Sequence, residues 1–188
     1  AAVQAALDEG GEPLAILDAM INAMEVIGEK FKKNEVFIPE VLIAARAMNA
    51  GVELLRPYLV ASGVTAKGVV VIGTVKGDIH DIGKNLVALM LKNYGYRVID
   101  LGKDVPKEVI LETAIKEKAD VIALSALMTT TMQEMRHVIE AAKDRGVTAK
   151  VIIGGAVITQ EYADEIGADG YSKDAAEAVK LVQRLLGL

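Results

Sequence analysis

The chain has 188 residues, 52% of them apolar, with a formal net charge of −5, which excludes a disordered chain and a general nucleic-acid surface, since that needs clustered Lys and Arg. It has no Cys, no Trp and only two His, which removes disulfides, thiol catalysis, zinc ribbons, iron–sulfur clusters and any multi-histidine metal site. The longest strongly apolar stretch, Gly68–Val75, is too short to span a bilayer, and no basic segment with an apolar core opens the chain; no membrane contact and a cytoplasmic location are expected. The chain opens on Ala1 rather than Met, so its true start is expected upstream.

The pattern up to Ala61 is helical. Pro13 suits the first turn of a helix, where its missing N–H is not needed. Behind it Leu14, Leu17, Ile21, Met24 and Ile27 recur at three- and four-residue steps, opposite Asp18, Asn22 and Glu25. Pro39 opens a longer helix with Leu42, Ala45, Met48, Val52, Leu55 and Leu59 on one face and Arg46, Asn49, Glu53 and Arg56 on the other. Gly28–Ile38, with Phe31 and Phe37, reads as a partly charged connection. Residues 1–61 are therefore expected to form a small helical bundle with a shortened first helix, and Ser62–Lys67 a polar linker and hinge.

From Gly68 the period changes. Gly68–Val75, Arg97–Leu101, Val121–Ser125, Lys150–Ile153 and, more weakly, Gly170–Ser172 are β-rich runs. Amphipathic stretches separate them at Ile82–Tyr94, Lys107–Lys118, Met132–Arg145, Thr159–Ile166 and Ala175–Leu186. Continuous apolar strands alternating with helices predict a parallel sheet covered on both faces. Residues 68–188 are expected to form a doubly wound, flavodoxin/Rossmann-like α/β domain of five strands. Ligands in this architecture bind outside the carboxyl ends of the strands, where the strand order reverses.

Three loops at those ends are informative. After the first strand comes Gly77-Asp78-Ile79-His80-Asp81-Ile82-Gly83. A His there can bind a metal through one ring nitrogen while Asp78 holds the other, fixing tautomer and basicity. Gly77 and Gly83 permit close backbone approach. Alone, the loop reads equally well as a helix-capping Asp with a surface His. No other His or Cys can complete a protein-only metal site, so a metal there takes most of its ligands from a cofactor. After the third strand, Ser125, Thr129, Thr130 and Thr131 cluster before a helix; N-capping by Thr130 or Thr131 is the simplest account. After the fourth, Gly154-Gly155 fits either a tight turn or a flat, bulky neighbour.

Together these residues resemble a known signature. D-x-H-x-x-G (Asp78, His80, Gly83), S-x-L (Ser125, Leu127) and G-G (Gly154, Gly155) are similar to the motifs of base-off/His-on corrinoid-binding domains. The spacings match as well, with 41 residues between Gly83 and Ser125 and 26 between Leu127 and Gly154. The whole chain resembles the cobalamin-binding module of methionine synthase, and still more the stand-alone corrinoid proteins of anaerobic methyltransferase systems, which put a helical cap before this α/β domain.

The resemblance implies a cobalt corrinoid whose nucleotide tail threads into the α/β domain. It makes His80 the lower cobalt ligand, Asp78 its hydrogen-bond partner and Thr131, six residues after Ser125, the third relay member. Gly77, Ile79, Asp81, Gly83, Leu127, Ser125 and Thr129 would contact the corrin or its tail; Gly154 and Gly155 would flank the tail; Asp174 and Ala175 align roughly with further contacts. Phe31 and Ile38 would lie over the methyl group. The implied role is a methyl carrier rather than a complete enzyme. It takes a methyl on cob(I) from a substrate-specific methyltransferase and passes it, as methyl-Co(III), to a second methyltransferase with a tetrahydrofolate or thiol acceptor; a reductive activator is a further partner. The rival readings are the cobalamin subunit of an adenosylcobalamin mutase, a cobalamin-dependent sensor, and a phosphoacceptor receiver domain using Asp78 and Lys173.

Overall fold

The computed structural model describes residues 2–61 and 66–188, apart from the side chains of residues 60 and 61. Most of the Ser62–Lys67 linker, residues 62–65, lies outside the described residues. The chain divides into two compact units, one of Ala1–Ala66 with Asn93–Gly95, the other of Lys67–Lys92 with Tyr96–Leu188.

In the first unit, α1 (Ala2–Asp8), α2 (Pro13–Lys32) and α3 (Ile38–Ala61) pack against one another. Pro13 occupies the first helical position, as its lost N–H allows. Two details differ from the sequence reading. First, α2 does not stop at Gly28 but continues to Lys32. Gly28 is buried in phase with Ile21 and Met24, so packing overrides its poor helix propensity. Only residues 33–37 connect the helices, and Glu40 Oε2 accepts the Phe37 N–H at 3.0 Å to tie down the start of α3. Second, α3 buries Val41 with Ala45, Met48 and Leu55, and leaves Leu42 exposed. Leu42 lies about 100° round the helix from Val41, off the stripe that the other three define.

In the second unit, β1 (Val69–Thr74), β2 (Arg97–Asp100), β3 (Val121–Ser125), β4 (Lys150–Gly154) and β5 (Gly170–Ser172) form a parallel sheet in the order β2-β1-β3-β4-β5. The helices α4 (Ile82–Asn93), α5 (Lys107–Lys116), α6 (Met132–Asp144), α7 (Gln160–Ile166) and α8 (Ala175–Leu186) alternate with them. This is the expected doubly wound arrangement. Val71, Ile122, Leu124 and Ile153 from the strands pack with Leu111, Met135 and Ile139 from the helices. Strand order reverses between β1 and β3, so the loops after these two strands flank the crevice. At the carboxyl edge Thr74, Ser125, Gly154 and Ser172 are register partners in one row across four strands. This row of small residues forms the floor on which the site loops stand.

Among the described residues, no helix is long and apolar enough to cross a membrane. His137 is exposed, with Glu134 as neighbour at 3.3 Å.

Candidate functional site

Asp78 is the anchor of the site. It sits in the loop between β1 and α4 with no exposed surface at all, where an unpaired carboxylate would be costly. It is not unpaired. Oδ1 accepts the backbone N–H of His80 at 3.0 Å and lies 2.8 Å from His80 Nδ1. Oδ2 accepts the N–H groups of Leu127 and Met128 at 2.7 and 3.3 Å and the Thr131 hydroxyl at 2.7 Å. Burial by itself would push this carboxyl up. The bonds from the His80 and Leu127 backbone, the Thr131 hydroxyl and the His80 ring more than offset it and hold Asp78 well below the usual carboxylate range.

An ionised carboxylate can only accept. The proton between Asp78 and His80 is therefore on Nδ1, and in the neutral ring Nε2 carries the lone pair. Among the described residues Nε2 has no hydrogen-bond partner, and the His80 side chain is 46% exposed. The backbone around it is also held, because Thr74 Oγ1 donates to the His80 carbonyl at 3.0 Å.

Thr131 corrects the simplest reading of its loop. It stands at the N-cap of α6 but makes no side-chain capping bond. Its hydroxyl has one proton, and the charged Asp78 oxygen at 2.7 Å is a better acceptor than the Met128 carbonyl at 3.0 Å. Nor does Asp78 cap a helix; α4 starts with the Asp81 carbonyl accepting from Asn85 N–H at 2.8 Å. The loops after β1 and β3 are thus joined by an Asp78–His80–Thr131 relay in which Asp78 and Thr131 are buried and the imidazole is half-exposed.

Around the imidazole the surface is apolar and open. Ile79, Ile82 and Leu127 are exposed, Ile82 by 79%, and a Cβ on Gly83 would meet nothing within 4 Å. Gly77 has φ +81°, which only Gly adopts freely. Among the described residues no group of three or more His, Cys, Asp or Glu could hold a metal. A metal on His80 Nε2 must therefore bring a set of non-protein ligands with it. A macrocycle that carries its own donor atoms fits a site with a single imidazole nitrogen.

The other expected residues have different surroundings. Ser125 is partly buried at the end of β3, and Thr129 is exposed. A Cβ on Gly155 (φ +138°) would come within 1.8 Å of the Ala126 carbonyl oxygen, and one on Gly154 within 2.9 Å of the Ser172 carbonyl oxygen. Asp174 caps α8 by accepting from Glu177 N–H at 2.8 Å, and Ala175 is buried. Phe31 is partly buried and Ile38 exposed, both in the helical unit.

This geometry disposes of the receiver reading. A phosphoacceptor carboxylate must be reachable, whereas Asp78 is enclosed with both oxygens engaged. Lys173 is exposed beside Glu177 at 3.7 Å.

Two B12-binding family models match the chain, both described as a B12 binding domain, one over residues 68–180 and the other over residues 1–56. This chain belongs to the B12-binding corrinoid proteins. It is 47% identical to dimethylamine corrinoid protein 2 of Methanosarcina acetivorans over 179 residues, 93% of this chain and 83% of that protein. A cobalamin-binding protein from Desulfitobacterium hafniense superposes with a TM-score of 0.85 at 31% identity, covering 98% of this chain and 89% of its own. The methanol:cobalamin methyltransferase complex MtaBC of Methanosarcina barkeri contains a chain matching with a TM-score of 0.85 at 35% identity, covering 98% of this chain and 71% of that one. The fold and the resemblance expected from the motifs are those that these relatives display.

Sequence reasoning missed several residues of this site. Ile82 and Met128 were read only as parts of helix and loop. Ile82 carried a usable signal, since an apolar residue two positions after His80 has no core to enter. Lys84, Asp100 and Asp104 also went unread; Asp100 bonds to Lys84 from 16 positions away and Asp104 to Gly77 from 27, pairings that no local pattern reveals.

Proposed function

We propose that this corrinoid protein is a methyl carrier that takes a methyl group from a substrate-specific methyltransferase and delivers it to a second one. The observation that carries this reading is the His80 imidazole, locked through Nδ1 by an enclosed carboxylate and presenting a bare Nε2 on an open apolar ledge. When bound, the corrinoid supplies a cobalt centre that can accept and give up a methyl group.

The chain's own residues do the rest. His80 would hold the cobalt through Nε2, in the base-off/His-on mode. Asp78 holds the Nδ1–H tautomer and the orientation of the ring. Were the imidazole to leave the metal, Asp78 would keep it in place through Nδ1. Thr131 and the Leu127 and Met128 amides keep Asp78 ionised throughout. Gly77, Ile79, Asp81, Gly83 and Leu127 form the cofactor ledge. Ser125, Thr129, Gly154, Gly155, Asp174 and Ala175 are assigned to the cofactor's tail, Asp174 alongside its capping role. Phe31 and Ile38, in the helical segment 1–61, are assigned to shielding the methyl group from water, and the α/β domain is 68–188.

The relatives named for dimethylamine and trimethylamine put methylated amines first among the donors. The acceptor branch uses tetrahydrofolate or a thiol, a reductive activator completes the set of partners, and the site of action is the cytoplasm.

The test is retention of a methyl group. Cobalamin-loaded, reduced protein is given ¹⁴C-dimethylamine with a purified dimethylamine methyltransferase, and separately the trimethylamine and methanol pairs. About one label per bound cofactor should stay with the protein after gel filtration in the dark. Label absent with every pair, or equal on cofactor-free protein, would remove the carrier reading.

A further inference from the structure

The segment that carries His80 is gripped at both ends by a single loop that has no part in the motifs. At its start, Gly77 N–H donates to Asp104 Oδ1 at 2.7 Å, and Asp104 N–H donates back to the Asp78 carbonyl at 2.9 Å. Asp104 makes this double bond from a left-handed backbone, φ 54°, which non-Gly residues seldom adopt. At the other end, the Lys84 ammonium is buried and meets both oxygens of Asp100, at 2.5 and 2.6 Å, and Asn85 Oδ1 at 2.6 Å. All three of its donors are used, as a buried charge requires.

Between those two grips the loop is stitched to β1 and its extension. Leu101 N–H bonds to the Ile72 carbonyl, Thr74 N–H to the Gly102 carbonyl, and Val105 N–H to the Thr74 carbonyl, at 2.9, 2.9 and 3.0 Å. Asp100 also accepts Gly102 N–H at 2.9 Å. The three backbone bonds extend the β1–β2 ladder and need no particular side chain. The Asp104 carboxylate and the Lys84–Asp100 pair are different, since they use side chains to fix the span 77–84. A second device has already been described at its centre, the Asp78 network.

We infer that Asp104, together with the Lys84–Asp100 pair, is a positioning device for the imidazole of His80, and that the loop 100–105 sets how readily that imidazole coordinates. The inference rests on the reading of His80 as the cobalt ligand. Physically, a metal ligand held in place before binding loses little freedom on binding, whereas a ligand on a loose loop must be ordered at that moment. Asp104 is not a catalytic residue; it touches only backbone of the ligand-bearing segment.

Three substitutions at one position separate geometry from simple stability. Asp104→Asn keeps an acceptor oxygen and tolerates the left-handed backbone. Asp104→Gly keeps the backbone but loses the acceptor. Asp104→Ala loses both. Lys84→Met provides an independent variant, keeping the buried stem without the ion pair.

Amide hydrogen exchange in the cofactor-free protein is the first readout. In Asp104→Gly the amides of Gly77 and His80 should exchange about tenfold faster, the loss of one hydrogen bond, with Ile152 and Ile153 in β4 unchanged. The second readout is the ratio of nitrogen-coordinated to uncoordinated signal in the EPR spectrum of the Co(II)-loaded protein. It should fall about tenfold in Asp104→Gly and Lys84→Met, further in Asp104→Ala, and within twofold of the parent in Asp104→Asn.

Unchanged exchange and coordination in both Asp104→Gly and Lys84→Met would overturn the inference. So would faster exchange spread equally over β4, which would make the loop a general stabiliser, and so would an Asn variant as impaired as the Ala variant. If the parent protein itself shows no nitrogen coordination, it is the ligand assignment of His80 that fails, and the exchange readout still decides whether the grip exists.

Discussion

The two halves of the sheet's carboxyl edge use similar residue types for different ends. On the β1–β3 side, the polar side chains bond to one another and to the site loops rather than cap helices. Thr131 stands at a helix N-terminus without capping it, and Asp78 is enclosed with five donors converging on it from two loops. On the β4–β5 side, the same kinds of residue serve the fold first. Asp174 caps α8, and Gly154 and Gly155 are small because neighbouring carbonyls leave no room for a Cβ. A motif residue that the fold already needs says less about a ligand than one that the fold does not need.

The largest effect should come from the β4 side. Gly155→Ala puts a Cβ into the Ala126 carbonyl at 1.8 Å on a backbone with φ +138°, which should cost about 3 kcal/mol or more. Urea denaturation of the cofactor-free protein should show it, and a near-neutral result would mean that Gly155 is kept for the ligand alone.

Next comes Asp78→Asn, which places an amide NH₂ among donors and should cost about 2 kcal/mol at neutral pH. Its pH dependence has a fixed sign. The folded-state carboxyl is held below its unfolded value, so its stabilisation is complete above the unfolded value of about 4 and is lost as pH falls through the folded one. The gap between parent and variant should narrow as pH falls below about 4. A gap that does not narrow between pH 4 and pH 2 would contradict the network.

Asp174→Ala removes a cap and should cost about 1 kcal/mol and also weaken cobalamin binding several-fold; unchanged affinity would leave Asp174 with its capping role alone. Gly83→Ala is the mirror case and the smallest in stability. The position is in the first turn of α4 with open space around it, so Ala should stabilise the cofactor-free protein by about 0.5 kcal/mol. Cobalamin titration should nonetheless show weaker binding, because the methyl occupies the ledge. Unchanged affinity would move the cofactor away from Gly83.

Much of this was legible in the residues. The β-branched runs predicted the strands to within a residue or two because strands buried on both faces are continuously apolar. The Asp78–His80 pair was legible because its partners lie two residues apart, and Thr131 came from the family resemblance, which implies a hydroxyl six residues after Ser125. What was lost depended on long-range packing. Gly28 looked like a helix stop until burial showed otherwise, and Val41 rather than Leu42 faces inward because the neighbouring helices choose the phase. Asp104 had one local hint, its place in the turn-forming Gly102-Lys103-Asp104-Val105-Pro106, where Asp tolerates a left-handed backbone. Nothing nearby announced its bond to Gly77.

The central claim is that His80 is the lower ligand of a corrinoid cobalt. Its direct test is the EPR spectrum of the protein reconstituted with cobalamin and poised as Co(II), with natural-abundance and with ¹⁵N-labelled histidine. The account predicts nitrogen superhyperfine triplets that become doublets on labelling, and that vanish in His80→Ala. A spectrum indifferent to labelling, or unchanged in His80→Ala, would contradict it.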